Sequence, residues 1–353
     1  MVGAFVLEMA RASPRRRKQE IRHVPLRGGR PERSVRPAPA VILPVGTIAA
    51  ARYFAVNYDV VAEYAMRPGP KIYIGTRPKT CRFCGRPEGK APFKKVAHAV
   101  SEALGNKVLI SLEECDDCNK ATSEVESDLM SFVRGEITLA QIKGKRGVPS
   151  IKSHDGRSRI DFGPDGFQIK QFEGGPPLFR AYVDPVGAAA DIPLPGFRPQ
   201  GIYKAVIKMA LTVLPTTELH AFGAALKWMT NNKLLVNVGY ARAWYTFTSG
   251  PRPYPFPVIR VMRRKHDGLR VPYAIVVLGF GNVTLQMCLP APEKDSLFSA
   301  SMDVPPAHPT PHVGRPWPYD SESRQQIPLH SPETVRKLTR TIRLHADKVL
   351  FKS

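Results

Sequence analysis

Residues 81–120 read CRFCGRPEGKAPFKKVAHAVSEALGNKVLISLEECDDCNK. Four of the chain's five cysteines lie here as two C-x-x-C pairs, Cys81/Cys84 and Cys115/Cys118, with thirty residues between the pairs. A C-x-x-C turn lets two thiolates reach one ion, and two such turns complete a tetrahedral four-sulfur site. The pattern predicts a structural zinc ion held by Cys81, Cys84, Cys115 and Cys118. Thiol–disulfide chemistry is the weaker reading, because a redox motif needs only one pair, near a βαβ unit. A closed four-thiolate site has no open coordination position, so the zinc does no chemistry itself. Its work is to tie a strand or turn to the start of a helix. Plain zinc ribbons often set their pairs only about 15–20 residues apart. The longer interval leaves room for a strand-turn-strand insert, and His98 lies inside it. Cys288 stands alone in a buried-strand pattern and reads as a small core residue.

Working outward, KIYIG at 71–75 reads as a short strand leading into the first cysteine pair. After Asn119, Val125, Leu129, Phe132 and Val133 recur at helical spacing, and Gly135 sits where a helix would stop. Upstream, AVILPVG and RYFAVNYDVVAEYA are β-branched and aromatic, so strands are expected from Val41 onward. The whole predicts an α+β fold in two units. Residues 41–140 form the first, 141–160 a basic linker, and 161–300 a second α+β unit. In the second, GIYKAVIKMALTVLP is a helix with Tyr203, Val206, Ile207, Ala210, Leu211 and Leu214 on one face and Pro215 at its end. VPYAIVVLGFGNVTLQMCL reads as paired strands across a Gly-Asn turn. Residues 301–353 are expected to form a Pro-rich loop. Ser331-Pro332-Glu333 then opens a basic final helix.

The formal net charge is +22, with a sequence pI near 10.0, which points to a polyanionic partner. Residues 1–40 are basic, rich in Pro and Gly, and without hydrophobic periodicity. They read as a disordered tail, or as an arm that touches phosphate backbone. No apolar run approaches the roughly 18–20 residues that span a bilayer, and the N-terminus lacks the order of a secretory signal, so a cytoplasmic protein is expected. Around the cysteines the charge is segregated: residues 71–107 carry a net +7 and residues 108–130 a net −6. A nuclease needs both signs, cations for phosphate and carboxylates for a divalent ion. A basic hairpin beside a solvated acidic helix face gives the same pattern.

The order CRFCG, VAHAVSEALGN, CDDCN running into a helix resembles the zinc-containing HNH endonucleases, over roughly residues 71–135. The resemblance implies a ββα-metal module in which two cysteine knuckles brace a hairpin against a helix. It further implies a metal-dependent endonuclease that hydrolyses phosphodiester bonds of double-stranded DNA. His98 would be the general base, and Asn119 the residue that ligates or orients one Mg²⁺ or Mn²⁺ ion. The family usually places an acidic residue just before the histidine; here it is Ala97, so a carboxylate must come from elsewhere. Glu126, seven residues after Asn119, lies on the same helix face. Glu113, Asp117 and Glu124 are weaker choices, and either Asn106 or Ser111 stands where the histidine would be steadied. Lys94, Lys95 and Lys107 are the expected phosphate contacts. Arg260 and the 263–265 run read as a solvated loop that adds further contacts.

Two other readings stay open at this point. In one, His98 is a surface residue or a backup metal ligand, and the chain is a non-catalytic, zinc-dependent nucleic-acid-binding protein. In the other, the module is a protein–protein adaptor whose charge serves only solubility.

Overall fold

The computed structural model describes residues 3–7, 45–163, 166–172, 174, 178–182, 187–231, 240–249, 252–296, 304–311, 322–345 and 350–352. The fold is α+β. At its centre is the helix Pro199–Val213, begun by a proline in its first turn and stopped at Leu214-Pro215. Sequence periodicity predicts one buried face. The structure buries nearly the whole circumference, Lys204 and Lys208 included. Lys204 Nζ donates to the Asn231 carbonyl (3.0 Å) and lies 5.5 Å over the Trp228 ring. Lys208 is ion-paired with Glu114 (3.0 Å) and Glu126 (3.1 Å).

This buried helix packs chiefly on two partners. One is an antiparallel six-stranded sheet, in the order Glu322–Pro328, Arg242–Thr248, Val283–Leu289, Ala274–Gly281, Tyr254–Arg264 and Tyr58–Ala65. Its Ala274–Gly281 strand is buried at every position, as expected of an apolar run covered on both faces. The expected hairpin across Gly281-Asn282 is present in full register. The other partner is the helix Asp116–Phe132, which starts at the second cysteine pair. One hydrophobic cluster runs from Cys81, Cys115 and Leu129 through Ile202 and Val206 to Val276 and Leu285, so both halves of the sequence share a core.

Polar contacts fix the buried helix at both ends. Asp128, from the Asp116–Phe132 helix, accepts from the Arg198 backbone N–H (3.0 Å) and Nε (2.9 Å), anchoring the residue that leads into the helix. A Cβ at position 201 would lie 1.9 Å from Asp128 Oδ2, so only glycine admits that carboxylate. At the other end Arg82 donates to the carbonyls of Leu211 (2.6 Å) and Leu214 (3.0 Å) and pairs with Glu113.

Several elements differ from expectation. Residues 45–57 form a helix rather than a strand, because Ala49, Ala50, Ala51 and Ala55 favour helix over the neighbouring β-branched residues. The following strand, Tyr58–Ala65, is as expected. The stretch read as a linker holds the strand Ile151–Lys152 and leads into Arg159–Gly163. Within the Pro-rich segment Glu322–Pro328 is a strand. The expected final helix is instead the strand Thr339–His345, paired antiparallel with Gly187–Pro193. Arg340 of that strand is partly buried over Phe132 (4.2 Å) and pairs with Glu136, a contact that a solvated helix would forgo. Arg260, Arg263 and Arg264 lie in the strand Tyr254–Arg264 and pair with Glu63, Glu218 and Asp295. Of residues 1–40, Gly3–Leu7 is a strand paired with Gly166–Gln171, and the rest of the expected tail lies outside the described residues.

Lys208→Met leaves Glu114 and Glu126 facing a buried apolar side chain, and removing one partner of a buried ion pair costs roughly 3–5 kcal/mol. Urea denaturation should show that loss; a change below about 1 kcal/mol would contradict the role given to Lys208.

Candidate functional site

The first cysteine pair sits on a tight turn. Gly85 N–H donates to the Cys81 carbonyl (2.8 Å), and Gly85 adopts φ +71°, where glycine carries no Cβ penalty. The second pair straddles the start of the Asp116–Phe132 helix, with Cys115 as extended N-cap and Cys118 on the first turn. The four sulfurs lie within 4.8 Å of one another and are free of disulfides. The Cys84–Cys115 separation is 3.8 Å. A tetrahedral ion with metal–sulfur bonds of about 2.3 Å needs sulfur–sulfur edges of about 3.8 Å, so the donor set suits zinc in size and in softness. Hydrogen bonds from Cys118, and then from the Cys115 backbone amide, hold the Cys81 thiol down to about 4, against the opposing effect of burial. Arg86 Nε donates to Cys84 Sγ (3.4 Å), its terminal nitrogen approaches Cys115 Sγ (3.9 Å), and it pairs with Asp117 (2.7 Å). That cation offsets thiolate charge from outside the cluster.

Between the knuckles, the strand Ala97–His98 pairs antiparallel with Leu109–Ser111, with His98 opposite Ile110. Ile72–Ile74 adds a parallel third strand to the sheet. The loop joining the two antiparallel strands is held by Asn106, which is fully buried. Its amide donates to the carbonyls of Val100 (2.7 Å) and Leu109 (2.9 Å), and its Oδ1 accepts from the N–H groups of Val108 (3.1 Å) and Leu109 (2.9 Å). Asn106 therefore steadies the backbone around His98, whereas Ser111 receives the Glu113 N–H (3.2 Å) and belongs to the knuckle.

His98, Asn119 and Glu126 line one cavity of about 280 Å³, together with Val96, Ser101, Glu102, Ala103 and Lys145. His98 is half-buried, and its imidazole has no hydrogen-bond partner among the described residues. Burial holds the imidazole below its ordinary pKa; Glu102 opposes the shift and Lys107 adds to it. Glu126 Oε1 accepts from Lys208, which ties the cavity wall to the buried helix. Ala97 is 2% exposed, because successive strand residues face opposite ways and position 97 points into the core. A carboxylate there would be buried, so acidic groups reach the cavity from other elements.

Among the other sequence candidates, Glu113 is committed to Arg82 and Asp117 to Arg86, while Glu124 is exposed beside Arg198 (3.6 Å). Lys107 is exposed and pairs with Glu102 (2.6 Å) at the cavity wall. Lys94 and Lys95 have exposed side chains, and their backbone N–H groups donate to Asp116 (3.2 and 2.9 Å). Two lining residues carry no sequence signal: Glu102 arrives through a 3-10 turn, Glu102–Leu104, and Lys145 through the stretch read as a linker. No helix among the described residues is long and apolar enough to cross a membrane.

Metal analysis of the purified chain should return one tightly held ion per molecule. Because a site absent from the unfolded chain returns its binding energy as stability, Cys115→Ser should lose the ion and lower the Tm sharply. A metal-free chain that melts where the loaded one does would contradict the assignment. No protein-family model, curated protein or solved structure matches the chain.

Proposed function

We propose that the chain is a metal-dependent endonuclease of the HNH type, cutting DNA in the His98 cavity beside a structural zinc. The observation that carries this is the convergence of His98, Asn119 and Glu126, from a two-residue strand and two separate turns of one helix, on a single cavity. The antiparallel pair leading into the cysteine-capped helix has the order expected of a ββα-metal module. The net charge of +22 suits a polyanionic substrate.

His98 is the general base. Held below its usual pKa, its imidazole is neutral at pH 7 and takes a proton from a water molecule. The water oxygen forms its bond to phosphorus as the bond to the 3′-oxygen breaks, leaving a 5′-phosphate and a 3′-oxygen that takes its proton from solvent to become the hydroxyl. With no hydrogen bond to the imidazole from the described residues, the ring is available to the water.

The cavity donors fit a hard cation such as Mg²⁺ or Mn²⁺. Asn119 and Glu126 offer oxygen ligands seven residues apart on one helix face, and they would hold the ion. The four cysteines are the one group of His, Cys, Asp and Glu close enough to hold a metal among the described residues. The cavity is therefore no closed cage, which suits an ion that keeps waters and takes further ligands from phosphate. Such an ion would supply positive charge to the pentacoordinate phosphorus and the leaving oxygen.

Plasmid incubated with the chain and Mn²⁺ or Mg²⁺ should be nicked, and His98→Ala should lower the rate by roughly 10²–10⁴-fold. Equal nicking by both chains, or by neither, would leave the non-catalytic nucleic-acid-binding reading. The base works unprotonated and its pKa is lowered from 6.5. The rate should thus be flat near neutrality and fall only as pH drops through a value below 6.5. An inflection at about 7 or above would contradict His98 as a desolvated base.

A further inference from the structure

Of the three charged side chains on the cavity wall, two have fixed partners and one does not. Glu102 is paired with Lys107 and Glu126 with Lys208. Lys145 also lines the cavity, is exposed, and has no ion pair or hydrogen bond among the described residues. Its position follows from the local backbone. Residues 143–147, Lys-Gly-Lys-Arg-Gly, close a tight turn in which Gly144 and Gly147 exchange backbone hydrogen bonds (3.1 and 3.4 Å). Gly147 adopts φ +88°. A Cβ on Gly144 would sit 3.4 Å from Ala103 Cα, so the turn lies directly on the 3-10 turn that follows His98. The Coulomb effect of Lys145 on the Glu102 carboxyl is one consequence of that packing.

An unmatched ammonium beside a neutral imidazole is a place for an anion, and its flexible stem lets it follow a phosphate oxygen through the reaction. We propose that Lys145 grips the substrate phosphate beside His98 and is a catalytic residue carried by the 143–147 turn. This rests on the nuclease reading of the cavity. Lys94 and Lys95 keep the role of backbone contacts along the duplex, while Lys107 is partly neutralised by Glu102.

The test compares Lys145→Met, Lys145→Arg and Lys143→Met in the full chain, since all three replace exposed side chains. Lys143→Met removes the same charge from the same turn without touching the cavity. Cleavage of supercoiled plasmid should fall roughly 10- to 100-fold in kcat/KM for Lys145→Met. Lys145→Arg should keep most of the rate, and Lys143→Met should stay within about two-fold of the parent. Binding of a fluorescein-labelled DNA duplex is measured in parallel in EDTA, on the His98→Ala background. Lys145→Met should weaken that binding and lower the slope of log K against log salt by about one. If the parent chain cuts and Lys145→Met cuts equally well, the inference is overturned while the nuclease reading stands. If no chain cuts but Lys145→Met still weakens binding and lowers the slope, the phosphate grip stands and the nuclease reading falls. Unchanged binding with no cleavage overturns both.

Discussion

Lys208 carries its ammonium into the core between Glu114 and Glu126, 3.0 and 3.1 Å away, and most of the site hangs on that placement. Glu114 directly precedes Cys115, and Glu126 is in the wall of the His98 cavity. One buried cation thus refers both the cysteine cluster and the cavity to the same helix. Burial pushes the Glu114 carboxyl up while Lys208 pulls against it, and the two carboxylates keep Lys208 protonated in a place where burial alone would discharge it. Asp128 at the N-terminus of that helix and Arg82 at its C-terminus complete the clamp. All these partners lie within residues 82–128, so the segment bearing the cysteines is built onto the helix along its whole length.

This arrangement separates two tasks within residues 81–145. The cysteine cluster is closed and braced by Arg86, which suits a metal that holds shape. The cavity is open, and its donors are spread over a strand, a 3-10 turn and a helix, which suits a site completed by its substrate. Ala97 follows from the same division. With position 97 turned into the core, a carboxylate there would not face the cavity; the carboxylates that line it are Glu126 of the helix and Glu102 of the 3-10 turn.

The sequence was most legible where chemistry fixes spacing. Two C-x-x-C pairs admit few arrangements, and the i, i+7 relation of Asn119 and Glu126 follows from helical geometry alone. The apolar run of Pro199–Val213 identified a helix but not its full enclosure, because the partners that admit Lys204 and Lys208 to the core are distant in sequence. Pairing across long sequence separation stayed hidden. Thr339–His345 is a strand because Gly187–Pro193 lies alongside it, and nothing local to Ser331-Pro332-Glu333 reports that. Lys145 was hidden for a related reason: a Gly-rich basic run reads as linker until Gly144 is seen against Ala103.

The central claim is that the cavity lined by His98, Asn119 and Glu126 is a divalent-metal site for phosphodiester hydrolysis, distinct from the cysteine cluster. Crystals of the His98→Ala chain with a DNA duplex and Mn²⁺, measured at the manganese and zinc absorption edges, test it most directly. The account predicts a zinc signal at Cys81, Cys84, Cys115 and Cys118, and a manganese signal in the cavity against Asn119 and Glu126 with a backbone phosphate beside it. Manganese bound elsewhere, or a duplex lying away from the cavity, would contradict it.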